Sequence, residues 1–483
     1  MICLLLLLPA CRVSAQDQPS AAPLTDDQQR AIETITAGRV LSTVAFLSSD
    51  EMAGRQTPSA ELEIASRFVA SRFLGAGLEP LTDDGSYFQT TQLDMIQPPS
   101  QVQLKLADGS PVTVRGVLAG SNADLTISSV VRTEVEFLKG ETAEAAASQT
   151  PAIVLIDEIS LNPRTGNNPA QVLATVTRRI QPLVEKHAAL VLMKSSIAGP
   201  LREIAEQLQE RPLALRSNGH PGCAVVLIAD DADFDETPIT AHVPAAIQTS
   251  AAVHNVLAVL RGGDPELNRE AVLVSAHLDH IGVTPSGRDH INNGADDNAT
   301  GVTAVLSLAD AFAALQQRPR RSIVFATFWG EEKGLLGSKA FVDAPLWPLE
   351  KIHANINIEM VGRPETDAVN KAWMTGWKHS GLGPVMNAGA QRAGVEIFNR
   401  TDVGEMLYTR SDNASFANRG VIAHSFSAGS LHSDYHQPTD EWQKLNIAHM
   451  TKVIQGLFAG ILLVAETGRD RLQDSPETRS DQR

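Results

Sequence analysis

The sequence predicts an α/β protein, with a mostly parallel central sheet flanked by helices and an inserted β-rich domain. Three observations predict it. From Val253 onward, short apolar strands alternate with helical periodicity, the pattern of a sheet covered on both faces. Between about residues 95 and 250 the texture changes to strand-like segments bounded by turn residues. At 483 residues the chain also exceeds what one hydrophobic core usually organises, so two domains are expected.

Met1–Ala10 is almost wholly apolar, with leucine at every position from Leu4 to Leu8, and Val13-Ser14-Ala15 supplies the small residues of a signal-peptidase site. The run is much shorter than the roughly 20 apolar residues of a bilayer span, so it predicts no membrane helix. No Lys or Arg precedes it. Leu8-Pro9-Ala10-Cys11 resembles a lipoprotein box, which would leave a lipid anchor at Cys11. Residues 1–15 therefore read as the signal peptide of an exported protein, periplasmic or secreted. Residues 16–23 are a polar leader, Asp26–Leu47 has helical spacing, and Ser59–Gly75 is a helix with Leu62, Ala65, Val69 and Phe73 on one face, stopped at Gly77.

In the insert, Val102–Leu106 alternates as a strand, Asp108-Gly109 turns, and Val112–Val114 resumes. Further strands are expected at Ala152–Ile156, Ala189–Met193 and Cys223–Ile228, with a helix over Ala170–His187. Beyond it come strands at Ala271–Ala276, Ser322–Phe328, Ile356–Met360 and Val421–Phe426, and a helix over Val302–Leu315. The charged, turn-rich stretch 466–483 reads as a disordered tail. The division is 16–94 with 251–465 for the α/β domain and 95–250 for the insert.

Hydrophobic residues at 43% and charged residues at 20% describe an ordinary globular protein. Forty Lys and Arg against 56 Asp and Glu leave a net charge of -16, which argues against nucleic acid or anionic membrane as the main partner. Cys3, Cys11 and Cys223 are the only cysteines, and cleavage after Ala15 would leave Cys223 alone, without a disulfide or a cysteine zinc site. Neither GxGxxG after a strand nor GxxxxGK[ST] occurs.

The chemistry concentrates between His277 and His436. In His277-Leu278-Asp279, residues two apart point the same way, and a ligating imidazole normally donates its other N–H to a carboxylate. Asp296-Asp297, flanked by Gly294 and Gly301, precedes a helix; it reads either as an acidic N-cap or as a carboxylate bridging two cations. Glu331-Glu332 follows a buried strand. As free anions the pair would repel, but a metal on one leaves the other to accept a proton; a solvated helix start is the alternative. Glu359 puts a carboxylate inside an apolar strand, which calls for a cation nearby. His436 lies in a polar loop, with His432 as its competitor.

AHLDHIG, NGADDNATG, FWGEEKGLLGS, NIEMVGR and SDYHQPTD, in that order, resemble the co-catalytic two-zinc aminopeptidases, a family related to glutamate carboxypeptidase and the transferrin receptor ectodomain. FLSSDEMAGR and the helix after it resemble bacterial members, so the likeness covers about 40–95 and 250–465. The insert resembles a protease-associated domain by position and strand content. The resemblance implies two Zn2+ per chain, one held by His277, Asp297 and Glu359, the other by the bridging Asp297 with Glu332 and His436. It implies Glu331 as general base, Asp279 as partner of His277, Tyr435 as an oxyanion-stabilising residue, and a cis peptide after Asp297. Glu359 departs from the Asp found in many members. Peptides are the implied substrates. Glutaminyl cyclase chemistry, a carboxypeptidase or dipeptidase specificity, and a receptor-like binding module remain the alternatives. Asp412 and Glu405 are candidates for binding a substrate ammonium, against a plainer reading as solvated loop acids.

Overall fold

The computed structural model describes residues 22–121, 123–139, 152–156, 169–194, 201–202, 204–206, 213–215, 223–284, 287–365, 367–429 and 431–474. The expected signal peptide, with Cys3 and Cys11, lies outside the described residues.

Three helices open the fold: α1 (Asp26–Ile32), α2 (Ala37–Leu47) and α3 (Ala60–Gly75). Thr25, Thr36 and Ser59 cap them by accepting backbone N–H groups that the first turn leaves free. Gly77, at φ +73, ends α3 in a left-handed turn: Leu78 N–H reaches the Phe73 carbonyl at 3.1 Å, and Gly77 N–H the Leu74 carbonyl at 3.0 Å.

A ten-stranded sheet forms the centre. Its strands are β1 (Glu79–Pro80), β2 (Phe88–Gln97), β3 (Leu213–Leu215), β4 (Ile247–Leu260), β5 (Ala271–His277), β6 (Ser322–Phe328), β7 (Ile352–Ile358), β8 (Lys371–Met374), β9 (Glu396–Asn399) and β10 (Ala423–Ser427). They lie in the order β9-β8-β10-β7-β5-β6-β4-β2-β3, with β1 beside β4. β6, β5, β7 and β10 run parallel, as the sequence predicts for the centre. One flank is antiparallel because β4 returns from the insert alongside β2, paired from Phe88↔Val256 to Gln97↔Ile247, and then pairs antiparallel with β6; on the other, β8 pairs antiparallel with β10 and parallel with β9.

Alternation along the strands sends side chains to two cores. Val272, Val274, Ile323 and Phe325 face a core shared with α1 to α3, α4 (Gly301–Ala313), α6 (Leu382–Ala390) and α8 (Ile447–Glu466). Leu273, Val324, Ala326 and Phe328 face Phe341 of α5 (Leu336–Asp343) and Phe416 of α7 (Asn413–Ala417). The helix α8 is long and apolar enough to cross a bilayer, but it buries Met450, Val453, Leu457 and Phe458 in the first core.

Residues 103–243 build two more sheets. One has five strands, ordered Val114–Ala119, Ala224–Ile228, Ala188–Lys194, Ala152–Ile156 and Val131–Thr133; the other has three, ordered Gln103–Lys105, Ile239–Val243 and Leu125–Ser129. Val176, Ile180 and Leu183 of the helix Pro169–Glu185 pack on the five-stranded sheet, and the three-stranded sheet covers its other face. The insert is thus β-rich, with the helix expected near Ala170–His187 layered on one sheet. Within 95–250, residues 95–97, 213–215 and 247–250 pair in the main sheet ladder.

Part of the stretch expected as a disordered tail is helical. α9 (Arg469–Gln473) follows α8, Leu472 is buried, and its carbonyl accepts the Gly381 N–H at 2.9 Å. Arg321, itself buried, holds the carbonyls of Ala465 and Thr467. Residues 475–483 lie outside the described ones.

Candidate metal centre

Three adjacent parallel strands deliver most of the site at their carboxyl ends, where open α/β sheets bind ligands. β5 ends on His277, opposite Phe328 of β6, and continues into Asp279 and His280. β6 turns at Gly330 into Glu331 and Glu332, and β7 passes directly into Glu359. Asp297 comes from the irregular turn Ala295–Thr300 that leads into α4, and the Asp297–Asn298 peptide is cis, as the resemblance implies. His436 comes from the loop after β10.

Asp297 divides its carboxylate between two groups. Oδ1 lies 3.2 Å from His277 Nε2, which is also 3.4 Å from Glu359 Oε2. Oδ2 lies 3.1 Å from His436 Nε2, which is also 3.2 Å from Glu332 Oε2. Donors bound to one tetrahedral ion at about 2.0–2.2 Å stand about 3.3–3.6 Å apart, so these spacings, at the long end of hydrogen bonding, are close to those of ligands around a shared ion. The atoms also fall into two metal-competent groups, His277 with Asp297 and Glu359, and His280, Asp297, Glu332 and His436. The donor set of carboxylates and imidazoles fits zinc.

The protonation pattern points the same way. Burial works against charge at Asp297, but hydrogen bonds from His277 and His436 hold its carboxyl well below the usual range. Burial and Asp297 would raise Glu332, yet His280 and His436 hold it at about 2. Burial would lower His277, but Glu359 and Glu331 raise it well above the ordinary imidazole; Asp297 and Glu332 likewise raise His436 to about 10 against burial. The carboxylates draw positive charge to these atoms, and divalent cations would supply it to the same atoms with the imidazoles neutral. Glu331 differs: burial, joined by Glu332, Glu359 and Asp412, pushes it well up.

Fixed partners hold each group. Asp440 accepts the N–H groups of Asp296 at 3.0 Å and Asp297 at 3.1 Å. Asn298 donates to the Ile358 carbonyl and accepts from Gly301 and Met360 N–H, tying the Asp297 turn to β7. Glu359 Oε1 accepts from Asn357 and Ser411, leaving Oε2 for His277. The expected carboxylate partner of His277 is different: Nδ1 lies 3.0 Å from the Asp279 backbone carbonyl and 3.8 Å from its side chain. The Asp279 carboxylate instead accepts the Thr57 hydroxyl and the Glu331 N–H, so it positions Glu331.

Of the two candidate histidines, His436 faces the centre, while His432 pairs with Asp296 at 3.3 Å. Tyr435 stacks on His436 with ring centroids 3.9 Å apart, and burial raises its phenol. Glu405 is exposed and pairs with His379. Asp412 is not a solvated loop acid: it is wholly buried, and burial pushes its carboxyl to about 7. Sequence reasoning missed His280, Thr57, Asp440 and Arg55. The buried Arg55 guanidinium donates to the carbonyls of Leu47, Leu278, Asn293 and Gly294, joining α2 to the His277 and Asp297 loops.

Residues 255–460, which include every one of these donors, match the profile of peptidase family M28. The chain is 24% identical over 268 residues to leupeptin-inactivating enzyme 1 of Streptomyces exfoliatus, covering 54% of this chain and 55% of that protein. It is 32% identical over 181 residues to an aminopeptidase of Pseudomonas aeruginosa, covering 36% and 31%. The chain thus spans about half the length of the first relative and about a third of the second. The fold resembles that of an aminopeptidase from Aneurinibacillus sp. strain AM-1, with TM-score 0.53, 18% identity and 90% and 95% of the two chains covered. It also resembles a zinc aminopeptidase from Bacillus subtilis, with TM-score 0.51, 17% identity and 91% and 98% covered.

Proposed function

We propose that this protein is a zinc-dependent aminopeptidase that hydrolyses N-terminal residues from peptides and carries two zinc ions per chain. The observation that carries the reading is the divided Asp297 carboxylate, one oxygen toward His277 and the other toward His436. Two donor groups sharing one aspartate favour two metals over the single zinc of a cyclase. The M28 match and the similar aminopeptidases support peptide hydrolysis. His277, Asp297 and Glu359 would hold one zinc, and Asp297, Glu332 and His436 the other.

When bound, a zinc pair supplies Lewis acidity and lowers the pKa of water. Among the described residues Glu331 makes no histidine ion pair of the kind that Asp297, Glu332 and Glu359 make, and we assign it the proton: its carboxylate takes one from the attacking water and returns it to the leaving amine. The Asp279 carboxylate fixes the Glu331 backbone through the 3.0 Å hydrogen bond from its N–H. Tyr435, stacked on His436 with a phenol that burial keeps protonated, is read as the donor to a developing oxyanion. The insert, entering between β2 and β4, is read as a protease-associated-type domain that shapes access for peptides. Export rests on the leader sequence alone.

Hydrolysis of aminoacyl p-nitroanilides, but not of N-acetylated ones, tests the function, with loss on chelation and recovery on zinc addition. Glu331→Gln should keep its metal and lose at least about 10²–10⁴-fold in kcat. Glu332→Gln should weaken one metal, with activity partly restored by excess zinc. If Glu331→Gln loses zinc and Glu332→Gln keeps it, the two roles are reversed. Full activity in both would move the site elsewhere.

A further inference from the structure

His280 is wholly buried beside the second donor group, yet its spacing differs from that of the ligands. Its Nδ1 lies 2.8 Å from Glu332 Oε1 and 3.8 Å from Asp297 Oδ2. The first is a hydrogen-bond distance, shorter than the 3.1–3.4 Å separating the facing donors of the centre. It also involves the other oxygen of Glu332, since Oε2 faces His436. Nε2 is buried without a hydrogen-bond partner among the described residues. A proton there would be a stranded donor, whereas a proton on Nδ1 meets a carboxylate, so the bonding favours the Nδ1–H tautomer. The backbone is shaped around this ring. Gly294 sits at φ +56, and a Cβ there would come within 2.5 Å of the His280 ring. The His280 N–H is held by the Arg55 carbonyl at 3.3 Å.

We infer that His280 is a positioning residue for the metal centre: it donates Nδ1–H to Glu332 Oε1 and thereby presents Oε2 alone to the ion shared with His436. The inference rests on the two-zinc reading above. Pinning one oxygen holds the ligand in one-oxygen contact and spares the ion the cost of ordering a mobile glutamate. Hydrogen-bonded partners of metal ligands typically contribute 10–100-fold in affinity.

The test is zinc competition against a chromophoric chelator, together with absorption of the cobalt-substituted protein. His280→Ala should weaken one of the two zinc equivalents by about 10–100-fold and leave the other unchanged. His280→Asn, whose amide can place an N–H near the Nδ1 position, should recover most of that affinity and keep the wild-type cobalt spectrum. Unchanged affinity in His280→Ala would make His280 mere packing. A His280→Asn variant as weak as His280→Ala, with an altered cobalt spectrum, would make His280 a direct ligand and overturn the inference. Should the wild-type protein bind no zinc, the functional reading itself fails; should it bind two while His280→Ala binds both equally well, only the role of His280 fails.

Discussion

Arg55 is the perturbation whose consequence can be worked furthest from the structure. Its side chain is 1% exposed, and its three guanidinium nitrogens donate to four backbone carbonyls, on Leu47, Leu278, Asn293 and Gly294. Burial lowers its pKa to about 10, partly offset by Asp279, Asp297, Asp440 and Glu332, so it stays charged at neutral pH. Each hydrogen bond from a charged donor contributes about 1.5–3 kcal/mol, but the four share one side chain and do not add. Arg55→Met keeps the apolar stem and strands the carbonyls. Breaking a buried charged constellation costs about 3–5 kcal/mol, a fall in Tm of about 3–5 °C for a chain of this length. Arg55→Lys retains the charge without the planar fork and should recover less than half of the loss. Urea denaturation at saturating zinc measures both. If Arg55→Met lies within about 1 kcal/mol of wild type, Arg55 does not pin the two loops.

The remaining expectations concern space and protons. Gly294→Ala should lower both Tm and zinc affinity, because its Cβ would lie 2.3 Å from the Asp297 carbonyl and 2.5 Å from His280; wild-type values for both would contradict the packing. His353, His424 and His449 are buried, and burial lowers each imidazole from 6.5 to about 4. A depressed histidine pKa favours the neutral ring in the fold, so its contribution is complete above pH 6.5 and is lost as pH falls toward 4. From pH 7.5 to 5 each should cost about 2 kcal/mol, and His353→Gln should flatten that dependence; urea midpoints unchanged across the window would refute it.

Much of the site was legible because metal ligation imposes residue types on strand ends. His277, Glu331, Glu332 and Glu359 each follow an apolar strand whose neighbours the α/β pattern makes parallel, so local sequence suffices to bring them together. His280 was not legible. Read as a strand, adjacent positions face opposite sides, but β5 stops at His277 and the backbone turns, bringing His280 round to Glu332. Thr57, Arg55 and Asp440 act from distant parts of the chain through bonds to backbone and carboxylate, which leave no local pattern. Asp412 looks polar in sequence and is buried only because α7 packs against β10 and α5. The antiparallel flank escaped notice for a similar reason: it depends on β4 returning beside β2 after the insert.

The shared Asp297 is the centre of the whole reading, and counting metal tests it most directly. Native mass spectrometry at rising zinc concentration should give two zinc ions per wild-type chain. Asp297→Asn, which weakens a donor common to both groups, should lower the affinity of both. One zinc at saturation in the wild type, or two retained by Asp297→Asn with unchanged affinity, would contradict it.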